Sequence, residues 1–379
     1  MKVYFDNAAS SPVREEVIDT MIRVARDCFG NPSSRHQQGR AAAAELTCAR
    51  TYLAAASGAE PDEIYFTSGG TEANNMAVTG CAQQLIRRGG HIITSAIEHD
   101  SVLRPIEKLA KSGWEVTYLA PESDGSISIE TFAAALREDT VFVSIMLVNN
   151  ETGSVNPISN FSAEIKRRGL PALLHTDAVQ ALCKIPFSVN TLGADLLTVS
   201  AHKLNGPKGA GSLFIRKGVK IKPLLLGGGQ ENVMRSGTES LITIAGFGES
   251  ARLAAKEFTQ YEASVCTLKK HISDRIISEI PEAVIISSSA GSPFIVSLSL
   301  PGFKSEVLMN YLDNEGICVS NGAACKKGAR SHVLKAMNIS NPIIDGAIRI
   351  SFSQYNTIEE ADYFVDKLKN AAVKLLKPL

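Results

Sequence analysis

Seven short runs of β-branched and apolar residues, at 64–67, 91–95, 115–119, 141–148, 172–176, 196–200 and 212–216, constrain this chain more than any other feature. Between them lie segments with helical spacing, such as 39–56 and 71–88, rich in Ala, Leu, Arg and Glu and preceded by turn or capping residues. Strands that alternate with helices are joined by crossovers, so the pattern predicts a mainly parallel sheet with helices on both faces. After Gly227-Gly228-Gly229 the pattern changes to a long helix, with Phe258, Tyr261, Val265, Leu268, Ile272 and Ile276 spaced three or four apart until Pro281. Strand-like runs at 294–300, 317–320 and 347–352 follow, with a helix near 305–315 and another at the C-terminus. The expected fold is α/β in two domains. Residues 15–256 form the large domain around a seven-stranded, mainly parallel sheet, and residues 1–14 and 257–379 form a smaller α+β domain.

Composition narrows the function. Among 379 residues, 39 Lys+Arg balance 39 Asp+Glu, so the chain lacks the basic excess that nucleic-acid binding by counterion release requires. No uncharged stretch is long enough to span a bilayer, and the chain reads as a soluble cytoplasmic protein. The cysteines at 28, 48, 81, 183, 266, 318 and 325 include no C-x-x-C pair and no histidine spaced as a zinc partner. A disulfide framework and a structural metal are therefore not expected, and most of the cysteines read as small buried hydrophobes.

Several strand ends carry groups with chemistry to offer. Ser200-Ala201-His202-Lys203 follows an apolar run and precedes Gly206-Pro207-Lys208-Gly209. A lysine in a tight turn at the end of a buried strand loses solvation, its pKa falls, and the amine becomes nucleophilic, as Schiff-base chemistry needs. Asp177, in His175-Thr176-Asp177-Ala178-Val179-Gln180, ends the preceding strand, where ligands of open α/β sheets gather. It suits a helix N-cap or the counter-ion of a pyridinium nitrogen. In Thr67-Ser68-Gly69-Gly70-Thr71-Glu72 the glycines permit close backbone approach and the helix start offers N–H groups to a phosphate, which Ser200 and His202 could also reach. His99 can cap a helix, stack on a flat ring or move protons, and Asn150 can serve in a turn or donate to a phenolate oxygen. Together these five strand ends suit the parts of pyridoxal phosphate.

The ordered set, with Glu98-His99, Val148-Asn149-Asn150-Glu151 and Arg235-Ser236-Gly237-Thr238, resembles the cysteine desulfurases, pyridoxal-phosphate enzymes of the class V aminotransferase group, over nearly the whole chain. The resemblance implies a type I fold and a homodimer with sites at the subunit interface. It implies Lys203 as the lysine that bonds the cofactor aldehyde, Asp177 under the ring nitrogen, Gln180 and Asn150 near the ring oxygen, and His99 on the ring. Gly70, Thr71, Ser200 and His202 would hold the phosphate, with Thr238 reaching it from the other subunit. Arg349 matches the arginine that binds the substrate carboxylate, and Asn31 a further substrate-side position.

Cys325 stands apart from the other thiols. It lies in Asn321-Gly322-Ala323-Ala324-Cys325-Lys326-Lys327-Gly328-Ala329-Arg330, small residues with cations on one side, which favour the thiolate. Cys318, in Ile317-Cys318-Val319, reads as buried by contrast. The segment resembles the family's persulfide loop, so Cys325 is the expected sulfur acceptor in conversion of L-cysteine to alanine. Housekeeping members carry Ser-Ser-Gly-Ser-Ala-Cys-Thr-Ser and a longer loop, whereas here five residues separate Cys325 from Ser331. This departure bears on delivery to the usual iron-sulfur scaffold protein, not on the chemistry at Cys325. The acceptor of the sulfur is left open among iron-sulfur clusters, thiolated tRNA and selenium metabolism. Rival readings are a selenocysteine lyase or other class V aminotransferase, and a non-catalytic sulfur carrier.

Overall fold

A computed structural model describes residues 1–86, 90–321 and 330–374. Its strands are β1 (Val3–Tyr4), β2 (Ile64–Thr67), β3 (His91–Ser95), β4 (Glu115–Leu119), β5 (Thr140–Ser144), β6 (Leu173–Asp177), β7 (Leu196–Ser200), β8 (Gly211–Ile215), β9 (Val284–Ile285), β10 (Ile295–Ser299), β11 (Ile317–Cys318) and β12 (Ala347–Ser351). Seven of them make one sheet in the order β2-β8-β7-β6-β5-β3-β4. Strands β3 to β7 run parallel, and β8 is antiparallel to both β2 and β7. These are the seven runs of the sequence pattern. The run at 141–148 differs in one respect: its strand ends at Ser144. The Ile145 and Leu147 N–H groups still bond the His175 and Asp177 carbonyls, so the chain stays alongside the end of β6 until it turns at Asn149-Asn150.

Every residue of β3, β5, β7 and β8 is buried, as central strands covered on both faces must be. Alternation sorts their side chains. Phe142, Leu196 and Leu213 pack with Met76, Ala77 and Cys81 of the helix Gly70–Leu85, while Val143, Leu197 and Phe214 pack on the other face with Leu53, Phe161 and Phe247.

A 39-residue helix, Leu241–Glu279, starts well before the periodic run that begins at Phe258. Its Ile244, Phe247, Ala251 and Ala254 belong to the sheet core, whereas Tyr261, Val265, Leu268, Ile272 and Ile276 belong to a second core with Val3, Phe5, Phe294, Ile350 and Phe364. That second core is faced by β10, antiparallel to β9 and β12, and by β1, which pairs in parallel with β11. Among the described residues, no helix is long and apolar enough to cross a membrane.

The cysteines correct one expectation. Cys28, Cys81 and Cys183 are buried, but Cys48 is half-buried, and Cys266 and Cys318 are exposed. Cys318 was expected to be buried; in the two-residue strand β11 it is Ile317 that points into the core, so its neighbour faces outward.

Gly248 lets the long helix lie against the helix Gln37–Ser57: a Cβ there would sit 2.5 Å from the Ala49 Cα. Gly248→Val should destabilise the fold by about 1–3 kcal/mol through overpacking, read as a lower urea midpoint at unchanged m-value.

Candidate active site

The carboxyl ends of the parallel strands collect the chemistry. Strand β7 ends at Ser200, and a single turn, Ala201–Lys203, follows it. The Lys203 amine donates to the carbonyls of Ala8 and Ala9, both at 2.7 Å. Burial first, and the nearby Arg349 guanidinium second, lower its pKa to about 8 against the opposing pull of Asp6 and Asp177. An amine in this state holds its proton weakly and becomes a nucleophile under mildly alkaline conditions. His202 is pushed down to about 4 by burial and by the cations of Lys203, Lys208 and Lys184, so its ring is neutral at pH 7.

Asp177 closes β6 one strand away. Its Oδ2 accepts from Asn74 Nδ2 at 2.7 Å, and its Oδ1 from the Val179 N–H at 2.9 Å. Both readings of the sequence thus have a physical basis, since the carboxylate turns the chain and also stands buried in the site. Asn74 escaped the sequence reading, although its position one turn after Gly70 was the signal. Gln180 is buried and donates from Nε2 to the Ala8 carbonyl at 2.8 Å, the oxygen that also accepts from Lys203.

Gly69 has a φ of 155°, and Gly70 opens the helix Gly70–Leu85. A Cβ on Gly70 would stand 3.0 Å from Val179 Cγ2 and 3.6 Å from Ser200 Cβ. The absent side chain therefore brings the helix start, with its unpaired N–H groups and the exposed Thr71, to the end of β7. Arg235 is anchored beside it through Glu72, Nε to Oε1 at 2.8 Å.

Two further strand ends complete the arrangement. His99 caps the helix Asp100–Lys111, its Nδ1 accepting from the Ser101 N–H at 3.1 Å, and the ring is exposed. Glu98 is fully buried: its Oε1 accepts from Ser95 Oγ and from the Met146 N–H, while Oε2 has no partner among the described residues. Burial pushes its pKa up to about 8, with Asp177 adding to the rise. Arg349, on β12, donates from Nη1 to the Asn150 carbonyl at 2.7 Å and from Nη2 to Asp6 Oδ1 at 2.9 Å. Among the described residues, Asn74 Oδ1, Glu98 Oε2 and Arg349 Nε are buried without a hydrogen-bond partner. Each is an atom that a polar ligand or water could complete.

Not every expected residue joins this cluster. Asn31 is exposed, its Oδ1 accepting from the Ser33 N–H, and Thr238 is exposed; no hydrogen bond among the described residues links either to Lys203. Cys325, Lys326 and Lys327 lie outside the described residues. Both flanks of that segment end on site residues: Ser320 pairs its backbone with Arg349, Ser331 Oγ donates to the buried Glu151, and His332 Nε2 lies 3.0 Å from the Glu98 carbonyl. Arg330, one of the cations beside that segment, pairs its guanidinium with Asp345, Nε to Oδ1 at 2.6 Å.

Residues 3–364 match the family described as aminotransferase class-V. The chain is 41% identical over 377 residues to the cysteine desulfurase IscS of Dictyoglomus turgidum, covering 99% of this chain and 95% of the relative. It is 39% identical over 380 residues to the cysteine desulfurase IscS of Methanosarcina thermophila, covering 98% and 92%. The chain belongs to the class-V aminotransferases, in their cysteine desulfurase group. Among solved structures, a NifS-like protein superposes with a TM-score of 0.94 at 38% identity, over 99% of this chain and 100% of that one. SspA in complex with cysteine superposes at 0.81 with 33% identity, covering 94% and 100%. The fold is the type I fold of this pyridoxal-phosphate-dependent family, as the resemblance implied.

Glu98 gives the cluster a pH signature. Its folded pKa lies above the unfolded value, so the stability it contributes is complete below about pH 4.5 and is lost as pH rises through about 8. Glu98→Gln should remove this slope, and the variant should gain on wild type by a few kcal/mol between pH 5 and about 9 in denaturant titrations.

Proposed function

We propose that this chain is a pyridoxal-phosphate-dependent cysteine desulfurase that takes the sulfur of L-cysteine onto Cys325 and releases alanine. The observation that carries the reading is a lysine amine with a lowered pKa after one strand end, a buried carboxylate at the end of the neighbouring strand, and a glycine-opened helix start beside them. The donor set fits the cofactor. Lys203 would bond its aldehyde, and Asp177 would pair with its ring nitrogen. Gln180 and Asn150 would meet the ring oxygen and His99 its face. Gly70, Thr71, Ser200 and His202 would hold the phosphate, with a neutral His202 ring able to donate one N–H. Bound there, pyridoxal phosphate supplies an electron sink for the pair left when the substrate loses its α-proton.

The rest falls to the chain's own groups. Arg349 takes the substrate carboxylate, its fork already aimed by Asp6 and the Asn150 carbonyl. The Lys203 amine moves the α-proton. The Cys325 thiolate attacks the substrate sulfur: an S–S bond forms, the C–S bond breaks, and the carbon is protonated to give alanine. His99 stands at the proton steps of the leaving side. Overall, thiol and cysteine become persulfide and alanine, with no outside oxidant.

The reading includes a cytoplasmic homodimer in which Thr238 reaches the partner's phosphate and Asn31 the substrate side. The exposed apolar residues Phe29, Leu226 and Val233, near these two positions in sequence, support a face that is covered by another copy. The sulfur acceptor is a protein of unassigned identity.

Two measurements test the chemistry. Borohydride reduction after addition of pyridoxal phosphate should leave the cofactor mass on the Lys203 peptide, with capture by the cofactor-free chain accelerating as pH rises and levelling off above about 8; labelling of another lysine would refute the assignment. Cys325→Ala should cut alanine and sulfide formation from L-cysteine by about 100-fold or more, and an unchanged yield would remove Cys325 from the mechanism.

A further inference from the structure

Lys184 has no part in the steps above, yet it is buried at 7% exposure four residues after Gln180. Its Nζ makes one hydrogen bond among the described residues, to Gln180 Oε1 at 3.3 Å, and lies 5.8 Å from the centre of the Phe294 ring. No carboxylate pairs with it, and the charged groups nearest it are Lys203 and Arg349, both cationic. It lines one small cavity with Lys203, Asn7, Asn205 and Tyr261. Burial and these two neighbours push its pKa down to about 7.

A buried cation among cations is costly, and packing alone gives no reason to keep one. Lys269 shows the structural alternative, since it is also buried but donates to three carbonyls, those of Ser288, Gly291 and Ser292. Lys184 instead has one acceptor, and that acceptor is an amide with two unlike ends. The amine donates to the Gln180 oxygen in either protonation state, so that oxygen faces it and the nitrogen faces away. The nitrogen then meets the Ala8 carbonyl, where the Lys203 amine also binds. The turned amide would set its oxygen against that carbonyl, acceptor to acceptor.

We infer that Lys184 is a positioning residue that fixes the Gln180 amide with its nitrogen toward Ala8 and Lys203, so that Gln180 meets the ring oxygen of pyridoxal phosphate as a hydrogen-bond donor. The inference rests on the cofactor reading above. It deepens that reading by explaining how one end of a symmetric-looking side chain is chosen.

Lys184→Met keeps the unbranched stem and removes the donor. Three quantities are read: the dissociation constant of pyridoxal phosphate from the cofactor-free chain, the pH midpoint of the near-visible band of the loaded protein, and the melting temperature of the unloaded protein. The variant should bind the cofactor about 5- to 20-fold more weakly. Its spectral midpoint should move up by about half a unit or more, because an anionic ring oxygen without its donor retains the proton of the linkage nitrogen to higher pH. Its melting temperature should be unchanged or higher. Gln180→Ala should cause the same two changes, and Lys184→Met should add nothing to them in the double variant. A variant that alters melting alone, or effects that add across the pair, would overturn the inference. Should Lys184→Met fail to fold, a crystal structure of the loaded wild type decides, and Lys184 Nζ beyond about 4 Å from Gln180 Oε1 would refute it. A wild-type protein that gains no near-visible band with the cofactor overturns the cofactor reading together with this one, whereas a normal wild-type band with a silent Lys184→Met overturns this one only.

Discussion

The Lys203 amine sits between the carbonyls of Ala8 and Ala9, contacts that reach 195 and 194 residues back along the chain. Much of the surrounding architecture serves this contact. A buried amine needs acceptors, and the N-terminal segment supplies two. The same segment places Asp6 on Arg349 and the Asn7 N–H on the Ser351 carbonyl, joining β12 to the stretch that holds the Lys203 amine. A buried amine whose pKa is lowered to about 8 is thus held by two neutral acceptors rather than by a carboxylate.

The strand-end logic of the site was legible because it follows from period and punctuation. The runs located β2 to β8 to within a residue except at β5, which ends at Ser144 and not at 148, and Ser200, Lys203, Asp177 and Gly70 all fall at or just after the ends of strands. What stayed hidden was long-range. Nothing local marks Ala8 as an acceptor, Asn74 as the partner of Asp177, or Asp345 as the partner of Arg330, because each pairing is made only when distant segments meet. Cys318 was misjudged for a different reason: in a strand of two residues, alternation is too short to say which side faces in. The long helix was seen only from Phe258 onward because its first part, from Leu241, is buried nearly all round and shows no amphipathic stripe.

Two carboxyl groups stand close together at the strand ends in unlike surroundings. Asp177 accepts on both oxygens, whereas Glu98 leaves one oxygen without a partner and is driven toward its protonated form. Burial with one oxygen unpartnered among the described residues is what raises the Glu98 pKa.

The helix Leu241–Glu279 is a wall of both hydrophobic cores. A helix of that length is one hydrogen-bonded rod, and neither core can lose its share of it without baring the apolar side of the other. The strand ends that carry Lys203 and Asp177 belong to the sheet that one part of this helix covers, and Arg349 to the smaller sheet that the other part covers, so a single rod spans both sides of the site.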